Sequence, residues 1–259
     1  MKAINTKTLV SDILSIVKSH DHFLITTHVR ADGDGIGSEV ALYYALKRMG
    51  KSVSIVNDSP IPQIYKFIIP GTDIYVHPEI PKDRAEVVFT LDCPTLDRLG
   101  KTQGIIPKDA IIINIDHHVS NEHFGKINWV SEEMCATGEI ILSLLREGNI
   151  DITPDMATAL YVAMVTDTGR FTHSNTTPEA LRMAAFLIER GARHVEISKH
   201  VYNTNPYNLL KLNALALNTV NLHAGNRIAT LWLTRKMLVE TGINPIDTQE
   251  FADIPISID

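Results

Sequence analysis

FLITTHVRADGDGIGS, residues 23–38, decides the fold. Residues 23–29 are an apolar run that carries a histidine near its end, and they read as a buried strand. A Gly/Asp loop, ADGDGIGS, follows it. From about Ser38 to Met49 the spacing predicts a helix, closed by Gly50. Working outward, 52–56, 86–91 and 111–115 are further short apolar strands with helical or loop segments between them. Strands that alternate with helices predict an α/β fold, a parallel sheet with helices on both faces.

Beyond residue 130 the pattern turns helical. Residues 136–147 and 154–165 predict two helices, the second with Pro154 in its first turn. Thr177 caps a third, with Pro178 at the first helical position and Gly191 past its end. The reading divides the chain at 1–194, a first domain, 195–222, a helical connector broken at Asn205-Pro206, and 223–259, the start of a second, smaller α/β domain. That last part holds a strand at 227–233, a helix capped by Thr234 and a turn-like DIPISID end, so it is expected to be incomplete.

The chain has 259 residues and a formal net charge of -6. An acidic surface argues against tight binding of long nucleic acids, which rewards basic proteins. A short or mononucleotide substrate remains open, because bound cations can supply local positive charge. Two cysteines, Cys93 and Cys135, make neither a disulfide framework nor a thiolate zinc site. No stretch is long and apolar enough to span a bilayer, and residues 1–20 are helical in pattern rather than signal-like. A reducing cytoplasm is the expected compartment. The sequon Asn175-Thr176-Thr177 is read as coincidence. The amphipathic segments can bury their faces within the monomer or across a homodimer.

Four short elements carry chemistry. His28, Asp32 and Asp34 cluster where a strand passes into a helix, at the sheet end where such folds place their sites. An ordinary Asp-Gly surface turn is the competing reading. Asp92 ends the strand at 86–91, where a lone Asp is also a common cap. Asp116-His117-His118 directly follows the 111–115 strand; neutral imidazole suits metals, and a neighbouring carboxylate fixes its tautomer. Asp167 stands at the end of a helical run, where the dipole disfavours a negative charge and a nearby cation would reconcile it. Together these are mixed N/O donors without thiolate. They favour manganese, magnesium or cobalt over structural zinc, and their charge suits two divalent cations.

The order and spacing of these four elements resemble the motifs of the DHH phosphoesterase superfamily over about residues 20–190, with Asp116-His117-His118 as the eponymous triplet. ATGEII (136–141), TDTGRF (166–171) and SNTTPEAL (174–181) resemble the branch of bifunctional oligoribonucleases and 3′-phosphoadenosine 5′-phosphate (PAP) phosphatases, related to the RecJ exonucleases and family II pyrophosphatases. The resemblance implies that His28 and Asp32 hold one cation, that Asp34, His117 and Asp167 hold the other, and that Asp92 bridges both. It implies that His118 meets the scissile phosphate or a bound water and that Asp116 orients the histidines or is purely structural. Arg98 and Arg170 are candidates for stabilising phosphoryl charge, and His173 and Ser174 for lining the substrate cleft. The expected activity is manganese-dependent hydrolysis of short RNA, dinucleotides such as pApA, or PAP. An inorganic pyrophosphatase or polyphosphatase and a nucleotide-binding protein without turnover are the alternatives. The branch also implies a C-terminal Gly-Gly-Gly-His-type motif, which does not occur in these residues.

Overall fold

The structure is a computed structural model that describes residues 6–69, 71, 74–77, 79, 81, 83–204, 206–244 and 251–258. Its first unit, up to His200, is built on one parallel sheet. The strands are β1 (His22–Thr26), β2 (Ser52–Asn57), β3 (Ile74–Val76), β4 (Val87–Leu91), β5 (Ile111–Asp116) and β6 (Ile127–Val130). They lie in the order β3-β2-β1-β4-β5-β6. Phe23 of β1 pairs with Val53 on one side and Val87 on the other. Central strands of a parallel sheet are covered on both faces, which is why β1 and β4 are nearly unbroken apolar runs. The chain leaves β1 in one direction through β2 and β3, then returns to its other side with β4. That reversal opens a crevice at the carboxyl ends of β1 and β4, the place where open α/β sheets bind ligands.

Strands β3 and β6 are absent from the sequence reading. Both are edge strands of three or four residues, too short for periodicity to declare them.

Helix α1 (Thr6–Ser19) precedes the sheet and buries Val10, Ile13 and Val17. Helix α2 spans Gly33–Arg48, so it begins at Gly33 rather than near Ser38. The Gly/Asp segment is its first turn, not a loop. Asp32 is the N-cap, and its side chain accepts from the Asp34 and Gly35 amides. The glycines answer to packing. A Cβ on Gly33 would stand 2.4 Å from Thr166 Oγ1, and one on Gly37 would stand 2.3 Å from the Ala159 carbonyl oxygen. Thr166 and Ala159 belong to α4 (Pro154–Asp167), which therefore runs antiparallel to α2 at near backbone contact. Helix α3 (Thr137–Glu147) lies before α4 in sequence, and α5 (Pro178–Glu189) follows it with Thr177 and Pro178 in the expected roles. The short α6 (His194–Ile197) lies near the end of this unit.

The second unit starts at Val201. It holds α7 (Tyr207–Leu217), a hairpin of β7 (Asn221–His223) and β8 (Ile228–Thr230), α8 (Arg235–Thr241) and α9 (Asp253–Ile256). Leu212, Ala216 and Phe251 form its core, packed by Met237, Leu238 and Ile254. Within the DIPISID end, Asp253–Ile256 is a helical turn, with Ile254 against this core. Of the expected connector break, Asn205 lies outside the described residues. No helix among the described residues is long and apolar enough to cross a membrane.

Candidate metal centre

The site grows from the ends of four elements. β1 passes into His28; β4 ends one residue before Asp92; β5 ends at Asp116 with His117 and His118 next; α4 ends at Asp167. The antiparallel α2–α4 contact brings Asp34, in the first turn of α2, level with Asp167 at the last residue of α4. Asp92 has φ +51°, a left-handed conformation that Asp tolerates better than most residues and that costs about 1–3 kcal/mol. Its amide is held by the Ile115 carbonyl at 3.0 Å. Such strain is characteristic of functional positions.

Three groups of possible metal ligands result, with the ligand atoms of each within 4.8 Å of one another: Asp92, His117 and His118, and two that share no residue, His28, Asp32 and Asp92 on one side and Asp34, His117 and Asp167 on the other. Asp92 reaches both. Its Oδ2 is 3.4 Å from His28 Nε2, and its Oδ1 is 3.6 Å from His117 Nε2. His117 Nε2 also lies 3.7 Å from Asp34 Oδ2 and 3.8 Å from Asp167 Oδ2. It is buried without a hydrogen-bond partner. A buried nitrogen ringed by three carboxylates at these distances is placed to ligate a cation. His28 Nδ1 donates to the Val29 carbonyl at 2.8 Å, which leaves Nε2 to face Asp32 and Asp92.

His118 also approaches Asp92, at 3.5 Å through Nδ1. That nitrogen is already bound to Asp116 Oδ1 at 2.7 Å, so His118 is fixed beside the cluster with Nε2 left over. Asp116 is fully buried and accepts from the His117 amide as well, while Asn121 donates to its other oxygen at 2.6 Å.

The electrostatics call for positive charge. Burial first, then the neighbouring Asp92 and Asp167 carboxylates, pushes the Asp34 carboxyl well above the usual range. Burial also pushes Asp167 up, to about 6, with His117 pulling the other way. Burial would lower His28, but Asp32 and Asp92 outweigh it and raise the imidazole to about 11. The thiols offer nothing to a metal here: burial pushes Cys93 up to about 12 and Cys135 up as well. The donors are therefore four carboxylates and three imidazoles, His118 included, a set without thiolate that suits cations of the manganese or magnesium kind.

The weaker candidates occupy the rim. Arg98 is exposed, with Nη2 3.4 Å from His28 Nδ1. His173 Nδ1 is 3.4 Å from the Asp167 carbonyl. Arg170, with φ +63°, and Ser174 are exposed on the segment after α4.

Sequence reasoning missed the residues that hold the carboxylates still. The Thr137 and Gly138 amides donate to Asp34 Oδ2 and Oδ1 at 2.6 and 2.9 Å, and Ser38 Oγ donates to Oδ1 at 3.2 Å. The Thr137 hydroxyl donates to Asp92 Oδ1 at 3.2 Å. The signal was there. Helix α3 begins Ala-Thr-Gly, and its N-cap Ala136 has no side chain to satisfy the first amides, so an acceptor must come from elsewhere. Asp34 is that acceptor. Asn114 and Asn121 join β4, β5 and Asp116 by side-chain hydrogen bonds and carry no comparable local signature.

Residues 22–164 match the DHH family, N-terminal domain. The chain belongs to the DHH family. Among curated relatives it is 33% identical over 225 residues to the bifunctional oligoribonuclease and PAP phosphatase NrnA of Thermus thermophilus, covering 87% of this chain and 66% of that protein, just under two thirds of its length. It is 26% identical to the Bacillus subtilis protein of the same name, over 90% of this chain and 72% of that one. Among solved structures, an exopolyphosphatase-related protein of Bacteroides fragilis matches with a TM-score of 0.92 and 26% identity, over 100% of this chain and 79% of that one.

Proposed function

We propose that this DHH-family chain is a two-cation phosphoesterase that hydrolyses short oligoribonucleotides, dinucleotides such as pApA, or PAP, with manganese as its preferred metal. One observation carries the reading: the two oxygens of Asp92 face two separate His/Asp groups. A single carboxylate between two groups of ligands is what a bridged metal pair requires. The substrates rest on likeness to the Thermus and Bacillus proteins.

In this reading His28 and Asp32 would hold one cation and Asp34, His117 and Asp167 the other, with Asp92 within reach of both. The cation pair would supply an activated water and offset the charge on the phosphoryl oxygens. The chain's own residues do the rest. Asp32 and Asp34 stand at the N-terminal end of α2, whose dipole favours negative charge there. Asp116, through its hydrogen bond, raises the His118 imidazole above its ordinary range against the effect of burial. With Nδ1 bonded to Asp116, His118 has its Nε2 available to a phosphoryl oxygen or a leaving group. Arg98, beside His28, offers a guanidinium to the same phosphate or the next one.

The direct test is manganese-dependent release of AMP from pApA by the 259-residue chain. AMP release is expected, with loss on chelation and recovery on adding manganese. If two cations bind and no AMP appears from pApA, short RNA or PAP, the substrate assignment fails and the metal assignment stands.

A further inference from the structure

We infer that Asn175 is the positioning residue for one half of the metal centre: it sets Asp167 and so tunes the affinity of the Asp34–His117–Asp167 group alone. The inference rests on the two-cation reading above. Asn175 lies outside every ligand group, eight residues after Asp167. Its Nδ2 reaches the Asp167 Oδ2 atom and carbonyl oxygen, both at 3.2 Å, and the Cys135 carbonyl at 3.0 Å.

Three acceptors around one end of an amide fix which end is NH2, because an oxygen there would face only other oxygens. Asn175 Oδ1 is buried and has no hydrogen-bond partner among the described residues, so donation is what holds the side chain in place. Each bond has a consequence. The bond to Cys135 ties the segment after α4 to the residues that lead into α3, whose amides hold Asp34. The bond to Oδ2 fixes the Asp167 oxygen that lies 3.8 Å from His117 Nε2. Asp167 terminates its helix, where nothing in the ladder restrains a side chain, so its orientation has to be supplied from outside. On the other half of the centre His28 is oriented by Val29 and Asp32 by the α2 amides, and no bond from Asn175 reaches either. Partners that orient metal ligands typically carry 10- to 100-fold in affinity.

The experiment is a manganese titration by calorimetry on the chelator-treated 259-residue protein, comparing wild type with Asn175→Ala and Asn175→Ser, alongside the melting temperature of each metal-free form. Wild type should bind in two steps; failure to bind would sink the two-cation reading itself. In Asn175→Ala one step should weaken about 10- to 100-fold while the other keeps its affinity. Asn175→Ser retains one donor and should fall between the two; it decides the matter should Asn175→Ala not fold. Parallel weakening of both steps, or unchanged affinities with only a lower melting temperature, would overturn the positioning role.

Discussion

The two halves of the acid–histidine cluster use the same side-chain types in different surroundings. Asp34 is 1% exposed and takes hydrogen bonds from Thr137, Gly138 and Ser38; Asp167 is held by Asn175. Opposite them, the Asp32 side chain is 49% exposed and spends one oxygen on capping α2, leaving Oδ2 for His28 at 3.8 Å. A carboxylate in low dielectric with fixed geometry binds a cation more strongly than one facing water. The contrast teaches a division of labour. In the proposed reading the first side fixes its carboxylates by hydrogen bonds from the protein, and the second leaves one carboxylate, that of Asp32, open to water. Asp92 couples them.

The hardest blow to the comparison would fall on that coupling. Asp92→Ala should reduce AMP release by about 10³-fold or more and weaken both cation steps, because each half loses a ligand. Survival of either step at full affinity would mean that the carboxylate is not shared. Next come the matched variants. Asp34→Asn should weaken its step by roughly 100-fold, and Asp32→Asn by only about 10-fold, since water can take the place of an exposed ligand. Equal losses would erase the distinction between the halves.

Acidity sharpens the contrast further. Cations need these carboxylates ionised, and Asp167 is pushed up to about 6 by burial. Protons therefore compete as the pH falls through that value, and manganese affinity at the Asp34–His117–Asp167 group should be greater at pH 7.5 than at pH 5.5. A flat profile for that step would contradict it. The smallest effect concerns the scaffold. Gly37→Ala forces a Cβ toward the Ala159 carbonyl and should cost about 1–3 kcal/mol in urea unfolding of the metal-free protein. An unchanged midpoint would show that α2 and α4 can separate without penalty.

Much of the first unit was legible because its central strands are buried on both faces. Continuous apolar runs such as VVFTL and IIINI can hardly be anything else in an alternating α/β pattern. Thr177-Pro178 announced α5 by local chemistry alone. The edge strands were not legible, and the start of α2 was misplaced because Gly-Asp-Gly imitates a turn. Only the presence of α4 explains why those glycines sit inside a helix. The second unit was read less well for a similar reason. The hairpin β7–β8 is three residues on each side, and α9 depends on packing around Phe251.

The sequence by itself determined the ligand types and the ends of the strands that carry them, because a donor set and a buried strand are both local properties of residues. The tertiary structure decided which ligands share a group, that Asp92 faces two of them, and that Thr137, Asn121 and Asn175 hold the carboxylates in place. Those facts depend on α2 lying antiparallel against α4 and on the sheet order reversing at β1, and no window of neighbouring residues contains either relation.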